Sequence, residues 1–168
     1  MQSKLIVRIR PATLSDLPAI DNIYNQAIVS EFTAHTKPLS KTQRLDWFNN
    51  HKKSGCPLLI AECDHETAGW LSFAQYRSGR QALSKTAEIS YYVNEAFHGR
   101  GIGSQLIQHA LHVASGYKFK VLLAIILEHN PISIYLLEKY GFEKWGFLPA
   151  VADFNGKLRA QFYYGKIL

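Results

Sequence analysis

Hydrophobic and polar positions change rhythm several times along this chain, and each change marks an element. Lys4–Arg10 alternates apolar and polar residues, the period of a half-buried strand. From Leu17 the rhythm becomes helical. Leu17, Ile20, Ile23, Tyr24, Ala27 and Ile28 share one face, and Thr13 or Ser15 can cap the start. Ser40 can cap a second helix carrying Leu45, Trp47 and Phe48. Pro57–Cys63 is an apolar strand, Asp64–Thr67 a turn, and Ala68–Tyr76 the returning arm of a hairpin. A polar loop, Arg77–Ser84, leads into another strand, Lys85–Val93. A helix over 104–115, a strand over Phe119–Leu127 and a helix over 131–140 follow, with Gly116 and Gly141 at helix-stop positions. Glu143–Val151 and Leu158–Ile167 read as two strands joined at Asn155-Gly156. The order predicts one α/β domain over residues 1–168: three layers, with a mixed central sheet flanked by helices.

Composition supports a packed domain. At 168 residues, 47% hydrophobic and 12% aromatic, the chain can bury a real core. No apolar run approaches 20 residues, so no membrane span is expected. Met1–Val7 is too short and too soon polar for a signal peptide. Cys56 and Cys63 sit in or beside one strand without metal-ligand spacing. They read as reduced thiols in a cytoplasmic protein with no metal. The net charge is +6, but the basic residues are scattered: Lys4, Arg8 and Arg10, then Lys52-Lys53, then Lys118 and Lys120. That distribution does not build a nucleic-acid-binding stripe. It suits a small polyanionic cofactor.

The richest stretch is Phe97-His98-Gly99-Arg100-Gly101-Ile102-Gly103-Ser104, between a strand and a helix. Glycines at alternate positions leave the backbone bare. At a helix N-terminus such a loop gathers several N–H groups and favours a phosphate. The plainer alternative is a flexible surface turn. No Lys follows these glycines, as a Walker loop requires. The third glycine of the dinucleotide fingerprint is replaced by Ser104 or Leu106, depending on the start.

Read as Gln/Arg-x-x-Gly-x-Gly/Ala, the loop is His98-Gly99-Arg100-Gly101-Ile102-Gly103. It resembles the acetyl-CoA pyrophosphate loop of the GNAT superfamily of N-acetyltransferases. Further segments resemble the branch containing phosphinothricin and methionine sulfoximine acetyltransferases. They include Ile9–Thr13, Asp16–Ile20, Ile23–Ala27, Thr86-Ala87-Glu88, Asn130–Ile134 and Glu138–Phe142. The likeness runs from about Ile9 to Lys166.

The resemblance implies a GNAT-like fold and a ligand set. Acetyl-CoA would place its pyrophosphate on the backbone of Gly99, Arg100, Gly101, Ile102, Gly103 and Ser104. Tyr91, Tyr92 and Val93 would form the strand edge that pairs with the pantetheine amides. Asn130 would meet the pantetheine arm, although Asn130-Pro131 is also a complete helix start by itself. Lys139 would meet the phosphate end, unless it is simply a solvated helix residue. Glu88 would be the general base, within apolar surface from Ile89, Tyr91 and Val93. The alternative for Glu88 is an exposed strand carboxylate paired with Lys85. Phe32 and Thr33, with the forks of Arg77 and Arg80, would face a carboxylate-bearing substrate.

Three residues depart from the pattern. His98 replaces the first Gln/Arg, Leu83 stands where the branch has a tyrosine, and Leu137 stands where relatives carry a Tyr or His acid. The implied activity is acetyl transfer to a small primary amine, an amino acid or an analogue. A peptide N-terminus, or a CoA-binding regulatory module without catalysis, are the alternatives. A homodimer through Gln161-Phe162-Tyr163-Tyr164 is a further expectation, against the simpler placement of these side chains in the domain's own core.

Overall fold

A computed structural model describes residues 6–168. Its strands are β1 (Val7–Pro11), β2 (Leu58–Cys63), β3 (Glu66–Gln75), β4 (Thr86–Val93), β5 (Val121–Leu127), β6 (Glu143–Phe154) and β7 (Lys157–Ile167). Its helices are α1 (Leu17–Val29), α2 (Lys41–Ser54), α3 (Ile102–Ala114) and α4 (Pro131–Lys139). The strands form one sheet in the order β1-β2-β3-β4-β5-β7-β6. Every neighbouring pair is antiparallel except β4 and β5. The sheet is mixed, with helices on both faces, as the rhythm of the sequence predicts.

Alternation along the strands feeds two cores. Leu59, Ala61, Leu71, Phe73, Ala87 and Ile89 pack with Leu106, Ile107 and Ala110 of α3. Leu58, Ile60 and Trp70 point the other way, onto Ile20, Ile23 and Tyr24 of α1, with Trp47 and Phe48 of α2 beside them. The central strands therefore read as unbroken apolar runs because both of their faces are covered.

Local signals account for most element ends. Thr13 donates from its backbone N–H and its hydroxyl to Asp16 Oδ2, at 2.7 and 2.9 Å, in a 3-10 turn that precedes α1. Arg10 grips the same carboxylate with two bonds of 2.8 Å, tying β1 to the helix start. Ser40 and Gln43 form a reciprocal capping box on α2. Asn155 and Gly156 both have positive φ, 54° and 90°, as a tight β6–β7 turn requires. This turn lets the two strands run longer than expected. Lys4 and Leu5 of the first expected strand lie outside the described residues.

One expectation needs correction. Gly116 does not stop α3. The chain continues in tight turns, and Lys118 (φ 64°) reverses it, with the Phe119 N–H reaching Ala114 O at 3.1 Å. Gly141 does close α4, at φ 76°, with Phe142 N–H bonded to Leu137 O. Gln161–Tyr164 is the segment expected at a homodimer contact. These residues lie on β7, an interior strand, and Tyr164 is completely buried with its hydroxyl donating 2.9 Å to Glu138. The sheet edge next to β7 is β6, where Trp145 and Phe147 are exposed.

Candidate active site

The parallel pairing of β4 with β5 stops early. It joins residues 86–88 to residues 121–123 through three pairs, the last being Glu88 with Leu123. Beyond that point β4 stays on β3 up to Val93, and β5 stays on β7 up to Leu127. The two strands part, and a cleft of about 470 Å³ opens between them. The edge of β4 from Ile89 to Val93 is thus left without a strand partner. An extended ligand bearing amides can pair with such an edge. Among side chains, His98 Nε2 occupies one of its groups, lying 3.0 Å from Val93 O.

One end of the cleft is the glycine loop. Gly99 and Gly101 adopt φ of 73° and 79°, with open space where a Cβ would stand. Gly101 caps α3, and the first α-helical bond runs from Gln105 N–H to Gly101 O. The N–H groups of Ile102, Gly103 and Ser104 are therefore left for a ligand at the positive end of the helix dipole. Gly103 is bare for another reason: a Cβ there would lie 3.0 Å from Leu136 Cδ1. It lets α3 and α4 approach across the cleft. Gln26 of α1 fixes the approach to the loop, accepting from Glu95 N–H at 2.9 Å and facing Asn94 Oδ1 at 3.4 Å. Nothing local in the sequence singled out Gln26.

The structure brings Phe32, Tyr91, Tyr92, Val93, Gly99, Gly101, Ile102, Gly103, Ser104, Asn130 and Lys139 to this one cleft. Asn130 caps α4 by accepting from Ser133 N–H at 3.2 Å while lining the cleft wall. Arg100 is not among the lining residues. Its guanidinium sits 5.3 Å over the Phe97 ring. Thr33 is buried and bonded to the Tyr24 hydroxyl at 2.7 Å. Arg77 and Arg80 are exposed in the loop before β4, linked by a backbone bond.

Glu88 sits at the apex where the strands part, on the α1/α2 face with Ser90 and Tyr92. The apolar shell expected from Ile89, Tyr91 and Val93 is a correction: alternation turns those three into the opposite core. The surface around Glu88 comes from elsewhere, and its charge acts on Tyr92 and Tyr163. Among the described residues it has neither a hydrogen-bond partner nor an ion pair, so no bridge to Lys85 forms. Burial raises its carboxyl above the ordinary range. Tyr163 was read as a contact residue, because sequence alone does not show that β7 lies beside β5.

Leu137 is completely buried in the α3-side core and offers no proton. Tyr135 lines the cleft and is 64% exposed, whereas Tyr140 packs against the core. Burial pushes the Tyr91 hydroxyl up to about 12, so it stays a neutral donor. No helix among the described residues is long and apolar enough to cross a membrane.

Known proteins share this fold. The chain is 42% identical over 151 residues to YwnH of Bacillus subtilis, covering 89% of this chain and 91% of that one. It is 34% identical to the L-methionine sulfoximine/L-methionine sulfone acetyltransferase of Pseudomonas aeruginosa, over 89% and 87%. The solved ribosomal-protein-alanine N-acetyltransferase of Brucella melitensis superposes with a TM-score of 0.91 at 32% identity, over 96% and 99%. The yncA protein of Salmonella typhimurium, solved with its cofactor acetyl-CoA, superposes at 0.90 with 28% identity, over 97% and 94%. The acetyltransferase (GNAT) domain family matches residues 7–143. The split parallel pair, the glycine loop closing one end of the cleft and this match over most of the length agree: the chain belongs to the GNAT acetyltransferase family.

Proposed function

We propose that the protein moves an acetyl group from acetyl-CoA to the primary amine of an amino acid or amino-acid analogue, with Glu88 as general base. One observation carries the reading: β4 parts from β5 just past Glu88, so the glycine loop and a free strand edge share one cleft, and the half-buried Glu88 stands one residue before the first β4 residue that lines it. Acetyl-CoA is polyanionic at one end, amide-bearing along its arm and reactive at its thioester. The residues fit that order. Gly99, Gly101 and the N–H groups of Ile102–Ser104 suit the pyrophosphate, with Lys139 nearby. The edge from Tyr91 to Val93 and Asn130 suit the arm.

An alkyl ammonium has a pKa around 10, so the acceptor arrives protonated and cannot attack. Glu88, with no competing partner, takes that proton directly or through a water. The amine nitrogen then bonds to the acetyl carbonyl carbon. The C–S bond breaks, the sulfur leaves as a thiolate, and the nitrogen gives its remaining extra proton to that thiolate or to water, leaving the neutral amide and the thiol. A thiol has a pKa near 8.5, so departure needs little help, and the absence of an acid at Leu137 is tolerable.

The relative that acts on methionine sulfoximine and methionine sulfone supports an amino-acid-analogue acceptor. The similarity to a ribosomal-protein-alanine acetyltransferase supports a second reading, acetylation of a peptide N-terminus. A thiol-release assay with acetyl-CoA separates the two. The panel is methionine sulfoximine, phosphinothricin, polyamines and an alanine-starting peptide. Turnover of the peptide alone would replace the first reading with the second. Turnover of none would favour a non-catalytic acetyl-CoA-binding module.

A further inference from the structure

Backbone groups along β4 alternate in direction. Thr86 O accepts from Tyr76 N–H at 3.0 Å, and Asn94 N–H donates to Ala68 O at 2.9 Å. Even-numbered residues of this stretch therefore turn their backbone groups to β3. Odd-numbered Ile89, Tyr91 and Val93 turn theirs the other way, into the cleft they line. Carbonyls on that edge recur every second residue, about 6.6 Å apart. An arm bearing amides finds the same pattern again one repeat along. The glycine loop suits only its phosphate end, and the rotatable bonds between leave the far end more than one register.

Val93 O, the last of the three carbonyls before the glycine loop, is already engaged. His98 Nε2 lies 3.0 Å from it, and His98 itself lines the cleft. A carbonyl only accepts, so Nε2 carries the hydrogen. The turn that brings the ring back is fixed: Asn94 Oδ1 accepts from Ala96 N–H at 3.1 Å, and Asn94 O accepts from Phe97 N–H at 2.8 Å. His98 is also the residue that departs from the loop pattern, standing where Gln or Arg is expected.

We propose that His98 is a positioning residue: by occupying Val93 O it denies the acetyl-CoA arm the register one repeat toward the glycine loop, and so keeps the thioester at the Glu88 end of the edge. The inference rests on the acetyl-transfer reading for the identity of the arm. A slipped arm draws its thioester back by about 6.6 Å, whereas attack needs the reacting atoms about 3–3.5 Å apart. The slipped complex binds and does not react. Such binding lowers kcat and KM by one common factor and leaves kcat/KM unchanged, because it competes with the productive complex and not with free enzyme.

The test is His98→Ala, at an exposed position where the fold tolerates the change. Freeing Val93 O offers the slipped arm one more net hydrogen bond, a factor of roughly two to ten in its population. The variant should therefore lose about fivefold in kcat and in acetyl-CoA KM together. Calorimetry reads the same event without turnover. Coenzyme A should bind His98→Ala about fivefold more tightly than wild type, while 3′-phospho-ADP, which has no arm, should bind both equally. His98→Gln, whose terminal amide N–H replaces that of Nε2, should return the coenzyme A affinity toward wild type. Weaker or unchanged coenzyme A binding by His98→Ala would overturn the proposal. So would a changed affinity for 3′-phospho-ADP, which would make His98 a phosphate contact, or a His98→Gln protein that behaves as His98→Ala does. The two readings fail separately. Tighter coenzyme A binding by His98→Ala with no amine acetylated keeps the register stop and removes acetyl transfer; acetylation with no gain in coenzyme A affinity does the reverse.

Discussion

Gly103 offers the sharpest test of the phosphate seat, because its reason for being glycine differs from that of Gly101 two positions earlier. At Gly101 an added Cβ meets nothing within 4 Å, but φ is 79°. Alanine there should cost about 1–2 kcal/mol of stability, the penalty of a left-handed conformation. At Gly103 the backbone is helical, and an added Cβ lies 3.0 Å from Leu136 Cδ1 and 3.7 Å from Val93 Cγ2. Leu136 can yield by a few tenths of an ångström, so Gly103→Ala should cost less than about 1 kcal/mol. Valine adds two methyl groups at the same place and should cost about 1–3 kcal/mol through overpacking. Both neighbours line the cleft. Gly103→Val therefore narrows the cleft as well as straining it, and acetyl-CoA affinity should fall at least about tenfold, some 1.4 kcal/mol. Urea unfolding gives the stability side and titration calorimetry the affinity side. A folded Gly103→Val protein that binds acetyl-CoA as tightly as the wild type would refute the placement of the cofactor in this cleft.

Glu88→Gln should lower turnover by about a hundredfold or more at neutral pH while sparing acetyl-CoA affinity, as loss of a general base requires. Because burial raises the Glu88 carboxyl, the wild-type rate should climb with pH through a limb above the ordinary carboxylate range, and the variant should lose it. The same raised value means Glu88 favours the native state only while protonated, a benefit lost as pH rises through its folded-state value. Glu88→Gln should therefore be the more stable protein at neutral pH, measured by melting temperature. Asp16 runs the opposite way: its bonds to Arg10 hold its carboxyl at about 2 instead of 3.8. That difference is worth about 2 kcal/mol above the unfolded value and vanishes as pH falls through the folded one. Asp16→Asn should show this loss at neutral pH, and unfolding curves for variant and wild type should converge toward pH 2; parallel curves would refute it. Tyr135→Phe and Tyr140→Phe should each cost under about tenfold in rate, since thiolate departure is unassisted. A loss at either matching that of Glu88→Gln would show that an acid is required.

Elements whose signals are local were legible in the chain. The Ser40 and Asn130 caps, the Asn155-Gly156 turn and the helical stripe from Leu17 to Ile28 depend on residues within a few positions of each other. The glycine loop was legible for the same reason, since φ and helix capping are properties of a short segment. Gly116 misled because a helix can wind on into tighter turns, and Lys118 accepts the left-handed conformation that glycine usually takes. Arg44 and Gln26 escaped notice because a lone polar residue on a helix normally faces water. Their partners, Asp21 and Glu95, are 23 and 69 positions away.

What the sequence determined by itself is the order of elements, the family and the glycine loop that opens α3, each written in spacing or in short-range backbone chemistry. Only the tertiary structure decided where β4 leaves β5. The alternation from Glu88 to Val93 runs on unbroken, and nothing in it marks Glu88 as the last paired residue. Strand pairing is settled by partners distant in the chain: β7 holds β5 on one side and β3 holds β4 on the other, so the two strands separate without either losing its ladder. The same pairing turned Glu88 away from its sequence neighbours and toward Tyr92 and Tyr163. Side chains of a strand alternate between faces, and what waits on each face is set by the whole fold.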